Sequence, residues 1–167
     1  MASSNIFDIA LKAIPGGSLS DSAFLSGIVF RKNVSHKSMS KEIMNPRIML
    51  LANGIEYTRT ENRILSLETL NEQENRYFQI LVTKITKMKP DILMVGRSVS
   101  RKAQELLMDA KIVLLQQVKS SLMERIARQT GATILNSTEH VMNQFDTSVL
   151  GTLAMRKIKL KAMHLFI

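Results

Sequence analysis

The amino-acid sequence predicts an α/β fold, a parallel sheet with covering helices, and three observations carry that prediction. Between residues 91 and 135, apolar β-type runs alternate with segments of helical period, in the order strand-helix-strand-helix-strand. Such alternation favours parallel strands joined by crossover helices. Just upstream, a long helical stripe stops at a Lys89-Pro90 step. And the 167 residues, 45% hydrophobic and 22% charged, suffice for one buried core and argue against disorder.

The elements follow in order. Residues 1–15 read as an N-terminal flank, in which Ile6, Phe7, Ala10, Leu11 and Ile14 have the spacing of a short amphipathic helix over 1–14. Pro15-Gly16-Gly17-Ser18 breaks it and reads as a linker. Ile28–Phe30 is a β-rich run, and a turn at Asn45-Pro46 leads into a strand around Ile48–Leu51. Thr69-Leu70-Asn71-Glu72 has the spacing of a capping box, hydroxyl and carboxylate three apart. Behind it, Leu70, Tyr77, Phe78, Leu81, Ile85 and Met88 form a helical stripe. Pro90 disfavours helical geometry at Lys89, so the helix stops there.

Ile92–Val95 is then a strand, and Ser98–Asp109 a helix with Ala103, Leu106 and Leu107 on one face. On the same helix Arg101 and Glu105, with Arg97 and Lys102, are placed on the exposed side. Ile112–Leu115 is the next strand. Ser121-Leu122-Met123-Glu124 opens a further helix that ends near Gly131, and Ala132–Leu135 is again a strand. Residues 136–155 are polar and irregular in pattern. Arg156–Lys161, RKIKLK, alternates as an exposed strand with Ile158 and Leu160 turned inward. The end, IKLKAMHLFI, reads as β-structure cut in mid-strand.

The chemistry the sequence excludes is as informative. A formal charge of +9 raises nucleic acid or an anionic membrane as partners. Yet the basic residues are spread along the chain, RKIKLK is the one dense cluster, and 5% aromatics without tryptophan give no base-stacking array. Anion or membrane binding through these residues rests on charge alone. The absence of cysteine rules out disulfides and cysteine–zinc sites. Apolar runs fall short of the roughly 20 residues of a membrane span, and the first residues lack a signal peptide's basic flank and apolar core.

Gly96 stands alone, outside any G-x-G-x-x-G or P-loop, so the Gly96–Ser100 junction reads as a turn rather than a phosphate cradle, and no cofactor is expected. His36, His140 and His164 lack short metal-ligand spacing, and His36 sits among Lys32, Lys37 and Lys41 as a surface or capping histidine. Glu68, Glu72 and Glu74 lie where a helix dipole favours carboxylates. SSLMERIARQTGATILN superficially resembles a helix-turn-helix, but the β-branched Ala132–Leu135 segment is not a recognition helix. The 11 methionines most simply fill the core.

The blocks GIVFRKNVSHKSM, NPRIMLLANGIEYTR, ETLNEQE, KPDILMVGRSVSRKAQELL and LMERIARQTGA occur in that order. Together they resemble the apical domain of group II chaperonins, and most of all the chaperonin-like domain of the phosphatidylinositol 3-phosphate 5-kinases. The resemblance covers roughly Gly16 to the C-terminus and implies a layered β/β/α apical-type domain over 16–167, expected to be truncated at Leu165-Phe166-Ile167. It implies no catalytic centre in this chain and a lipid kinase as parent, on the cytoplasmic face of endosomal or vacuolar membranes.

The partners it implies are the rest of the kinase, a HEAT-repeat scaffold and a lipid phosphatase, with no nucleic acid and no cofactor. Arg97, Arg101, Lys102 and Glu105 are the expected partner-binding residues. The alternative is a client-binding chaperonin apical domain. ENRILSLETL, at the place of the chaperonin's helical protrusion, is less apolar than a lid needs and weakens that alternative.

Overall fold

The computed structural model describes residues 11, 13, 18–22, 27–30, 32–40, 42–57, 67–143, 147–152, 157–161 and 164–166. Strands β1 (Val29–Phe30), β2 (Glu42–Met44) and β3 (Arg47–Leu51) precede helix α1 (Leu67–Met88). Then β4 (Ile92–Val95), α2 (Arg101–Asp109), β5 (Val113–Leu115), α3 (Ser120–Thr130) and β6 (Ile134–Leu135) alternate as predicted. Helix α4 (Thr138–Asn143) and strands β7 (Gly151–Thr152), β8 (Lys157–Lys161) and β9 (His164–Phe166) follow. The short amphipathic helix expected over 1–14 lies outside the described residues, as do 61–66 of ENRILSLETL and Arg156 of the basic run.

Two sheets organise the chain. The larger has the order β5-β4-β3-β6, all parallel, with β7 added antiparallel to β3. Its register pairs Ile48 with Ile92 and Ile92 with Val113. Ile48 to Leu51, Ile92 to Val95 and Val113 to Leu115 are all buried. Continuous apolar runs of this kind are what a sheet covered on both faces demands.

The stripe Phe78, Leu81, Val82, Ile85 and Met88 of α1 is buried, and α1 packs between α2 and α4. The crossover through α2 steps from β4 to β5 at one edge, whereas that through α3 runs back across the sheet to β6. Right-handed crossovers in opposite directions place α2 and α3 on opposite faces. The smaller sheet is antiparallel, in the order β1-β9-β8-β2; Phe30 of β1, with Ile28 just ahead of it, joins the common core.

One edge of the large sheet is closed. In a parallel strand the N–H and C=O of a residue point to the same side, alternating along the chain. The N–H of Val113 points inward, to the Asp91 carbonyl, so both groups of Leu114 point outward. The Ser35 N–H donates to the Leu114 carbonyl at 2.9 Å, and the Leu114 N–H lies 3.3 Å from Met39 Sδ. The turn at residues 35–39 therefore seals β5, and His36 serves that turn by accepting the Ser38 N–H on Nδ1 at 3.2 Å.

Several boundaries differ from the sequence expectation. Thr69 is not a cap, because α1 already includes Leu67 and Glu68. Likewise α3 begins at Ser120, with Lys119 at the N-cap and no side-chain cap bond, so Ser121 lies inside it. Gly131 ends α3 as expected, in the left-handed region at φ 72° with its N–H on Ala127 O. Helix α2 starts at Arg101 and not at Ser98, because Ser98 and Ser100 are engaged with Ile55. The stretch 136–155 is not irregular throughout, since it holds α4 and β7. Within RKIKLK, Lys157–Lys161 form strand β8 as expected, and it lies between β9 and β2 in its sheet.

Candidate protein-interaction surface

The surface around α2 begins with a backbone constraint. Gly96 follows β4 and donates its N–H to Leu51 O at 2.8 Å. A β-carbon there would lie 2.1 Å from the Ala52 carbonyl oxygen, so only glycine lets the connections after β3 and β4 run this close. Ser98 and Ser100 then clasp Ile55: its N–H donates to Ser98 O at 3.0 Å, and the Ser100 N–H donates to Ile55 O at 2.8 Å. Ser98 Oγ also donates to the Glu56 carboxylate. Gln104 Nε2 donates to Val99 O at 2.7 Å, tying the first turn of α2 to the loop. The lone glycine of the sequence is thus a packing device, and Ser98–Ser100 form a pairing segment before the helix.

On this frame Ala103 and Leu107 are buried, with Leu106 partly so, as the helical spacing predicts. Of the four expected contact residues, Arg97, Arg101 and Glu105 are exposed. Arg101 Nε reaches Glu105 Oε1 at 3.2 Å, an i,i+4 pair whose side chains are 92% and 59% exposed. At such exposure the pair shapes the surface more than it stabilises the helix.

Lys102 differs from its expected place on the open side. Its Nζ lies 3.1 Å from Glu74 Oε2 of α1, with side-chain exposures of 40% and 28%. It bridges the two helices, because its position on α2 turns it toward the α1 flank. Glu74 is the residue that sequence reasoning placed only as a helix-start carboxylate.

The rest of α1 is clasped in the same polar way. Tyr77 Oη and Thr138 Oγ1 are 3.0 Å apart, and Lys84 Nζ donates to the Met142 carbonyl, both linking α1 to α4. Tyr57 packs at 5.6 Å from Tyr77 and donates to Gln73. The outward face of α1 presents Glu72, Asn75, Arg76, Gln79 and Lys87. Ile80, 43% exposed, is the one exposed large hydrophobic residue of α1 and α2 among the described residues. Nor do the described residues contain a group of three or more His, Asp or Glu side chains able to hold a metal. No described helix is long and apolar enough to cross a membrane.

Comparison with known proteins agrees with this architecture. The model of the TCP-1/cpn60 chaperonin family matches residues 2–166. A 1-phosphatidylinositol-3-phosphate 5-kinase of Arabidopsis thaliana, FAB1A, is 42% identical over 133 residues, 80% of this chain and 8% of that protein. The human 1-phosphatidylinositol 3-phosphate 5-kinase is 36% identical over 137 residues, 81% of this chain and 6% of that protein. The T-complex protein 1 subunit gamma of Thalassiosira weissflogii is 36% identical over 155 residues, 89% of this chain and 28% of that protein. Among solved structures, the open-state monomer of a group II chaperonin from Methanococcoides burtonii superposes with a TM-score of 0.65 at 23% identity. That superposition covers 90% of this chain and 32% of the chaperonin. The chain thus spans under a tenth of these kinases and under a third of these chaperonins.

Proposed function

The chain belongs to the TCP-1/cpn60 chaperonin family, and from that premise we propose that it is a non-catalytic interaction domain of a phosphatidylinositol 3-phosphate 5-kinase that mediates assembly of the kinase complex. One observation carries this reading over a client-binding one. Among the described residues, the α1–α2 surface is polar and ion-paired, with the Glu74–Lys102 bridge across it and Ile80 as its single exposed large hydrophobic residue. Capture of unfolded chains needs a contiguous apolar patch. A charged, ordered surface suits one folded partner of complementary charge.

In this reading the parent is a lipid kinase whose catalytic centre lies elsewhere, working at endosomal or vacuolar membranes. Arg97, Arg101 and Glu105 then contact a HEAT-repeat scaffold or a lipid phosphatase of the complex. Lys102 holds the two helices in register behind them.

Arg101 gives the clean test, because charge reversal at Lys102 would also break an inter-helix bridge. Arg101→Glu should reduce co-precipitation of the scaffold and phosphatase with the full-length kinase and leave the domain's melting curve in place, since exposed positions usually change stability by under about 0.5 kcal/mol. Unchanged assembly would remove Arg101 from the interface. The similarity to a T-complex subunit supports client binding as the second reading. Suppressed aggregation of several unrelated unfolded proteins by the chain would favour it.

A further inference from the structure

A cleft of about 380 Å³ opens on the α3 side of the molecule, lined by Arg125, Arg128 and Gln129 of α3 and by Gly27 and Ile28 ahead of β1. It lies on the sheet face opposite the α1–α2 surface. Arg125 is half-buried and Arg128 exposed, one helical turn apart. Among the described residues neither guanidinium has an ion-pair partner. Glu124, four residues before Arg128, does not come within ion-pair distance of it.

The charges decide what the cleft attracts. Among the described residues of α3, the two full positive charges of Arg125 and Arg128 stand against the exposed Glu124 carboxylate and the helix's C-terminal end, which carries roughly half a negative charge. The balance stays positive, within a chain of net charge +9 that draws anions toward it.

We propose that this cleft binds a phosphate group carried by a small molecule or a lipid headgroup. Two guanidinium forks a turn apart present paired N–H donors to tetrahedral oxygens, which ammonium groups cannot do as well. Gln129 adds a neutral carboxamide donor beside them. The concavity, at the lower end of small-ligand pockets, suits a headgroup-sized anion better than a flat protein surface. The assignment is independent of the assembly reading, because it uses another face and other residues.

The test is isothermal titration of the 167-residue chain with pyrophosphate at low ionic strength. Saturable binding is expected. Arg125→Gln and Arg128→Gln should each weaken it by roughly ten- to a hundredfold, the range of a lost charge-assisted hydrogen bond. Arg128→Lys, which keeps the charge and loses the fork, should fall between. Lys119→Gln removes the same charge from the exposed opposite end of α3 and should change binding by less than about twofold. A melting curve of each variant guards against misfolding, and the exposed Arg128 supplies a readable result if Arg125→Gln fails to fold.

Flotation with phosphatidylcholine vesicles, with and without phosphatidylinositol 3-phosphate, distinguishes the sources. Capture that pyrophosphate displaces points to a headgroup, and pyrophosphate binding without capture points to a soluble phosphate. Absence of saturable pyrophosphate binding, or an equal loss from Lys119→Gln, overturns the proposal.

Discussion

Gly96 shows how much one residue can conceal. In the sequence it is a single glycine after an apolar run, and the missing second and third glycines argue against a phosphate loop. That exclusion was legible, whereas the residue's purpose was not, because the atom it avoids belongs to Ala52, 44 positions away on another strand connection. Gly96→Ala forces a β-carbon to 2.1 Å from that carbonyl oxygen and 3.0 Å from its carbon. Backbone must move, and the expected loss is about 1–3 kcal/mol, the usual cost of overpacking. Urea denaturation measures it, and a loss below about 0.5 kcal/mol would show that the two connections separate freely. Gly131 was readable by contrast, since a helix of amphipathic period followed by glycine is a purely local signal.

Elements were legible in proportion to how local their causes are. The stripe of α1, Leu70 to Met88, repeats over about five turns and came through with its C-terminal stop at Lys89. Leu81, fully buried on that stripe, makes the helix's packing testable: Leu81→Ala should cost about 2–5 kcal/mol in thermal or urea melts. A surface-like change would place the stripe elsewhere. The capping box at Thr69–Glu72 failed because a hydroxyl and a carboxylate three apart also occur inside helices, and the start read at Ser121 fell one residue late. The start of α2 was misplaced because Ile55, far upstream, holds Ser98–Ser100 in extended pairing. Helix α4 has six residues, and β2 has three with its partner β8 more than a hundred positions on, so neither leaves a periodic trace. The site divides the same way. Arg101 and Glu105 pair within one helix and were visible from spacing, while Lys102 and Glu74 meet only once two helices are packed side by side.

At the scale of the molecule, the parallel sheet and its crossovers followed from alternation, and the second sheet did not, because its strands come from both ends of the sequence. The fold carries no glycine-rich phosphate loop, and the described residues hold no acidic metal cluster. The proposed non-catalytic reading accordingly expects no nucleotide site. Titration of a chain carrying both Arg125→Gln and Arg128→Gln with Mg·ATP should give no saturable heat, and a micromolar dissociation constant there would contradict the non-catalytic reading. The doubly substituted chain separates nucleotide binding elsewhere from the simpler phosphate contact proposed for the Arg125–Arg128 cleft, which those substitutions weaken.

The turn at 35–39 has a consequence for how the protein behaves in a crowd. A parallel sheet ending in an open strand offers a template to any extended chain, and fibrils grow by that route. β5 is wholly apolar and at the border, an edge that gains from being covered. Its one outward-facing peptide pair, at Leu114, is already occupied by Ser35 and Met39. Ser35→Pro deletes the donor and leaves the side of β5 unguarded. The variant should gain thioflavin fluorescence on incubation under conditions where the parent chain stays clear, since the short turn at 35–39 keeps the sheet from recruiting strangers.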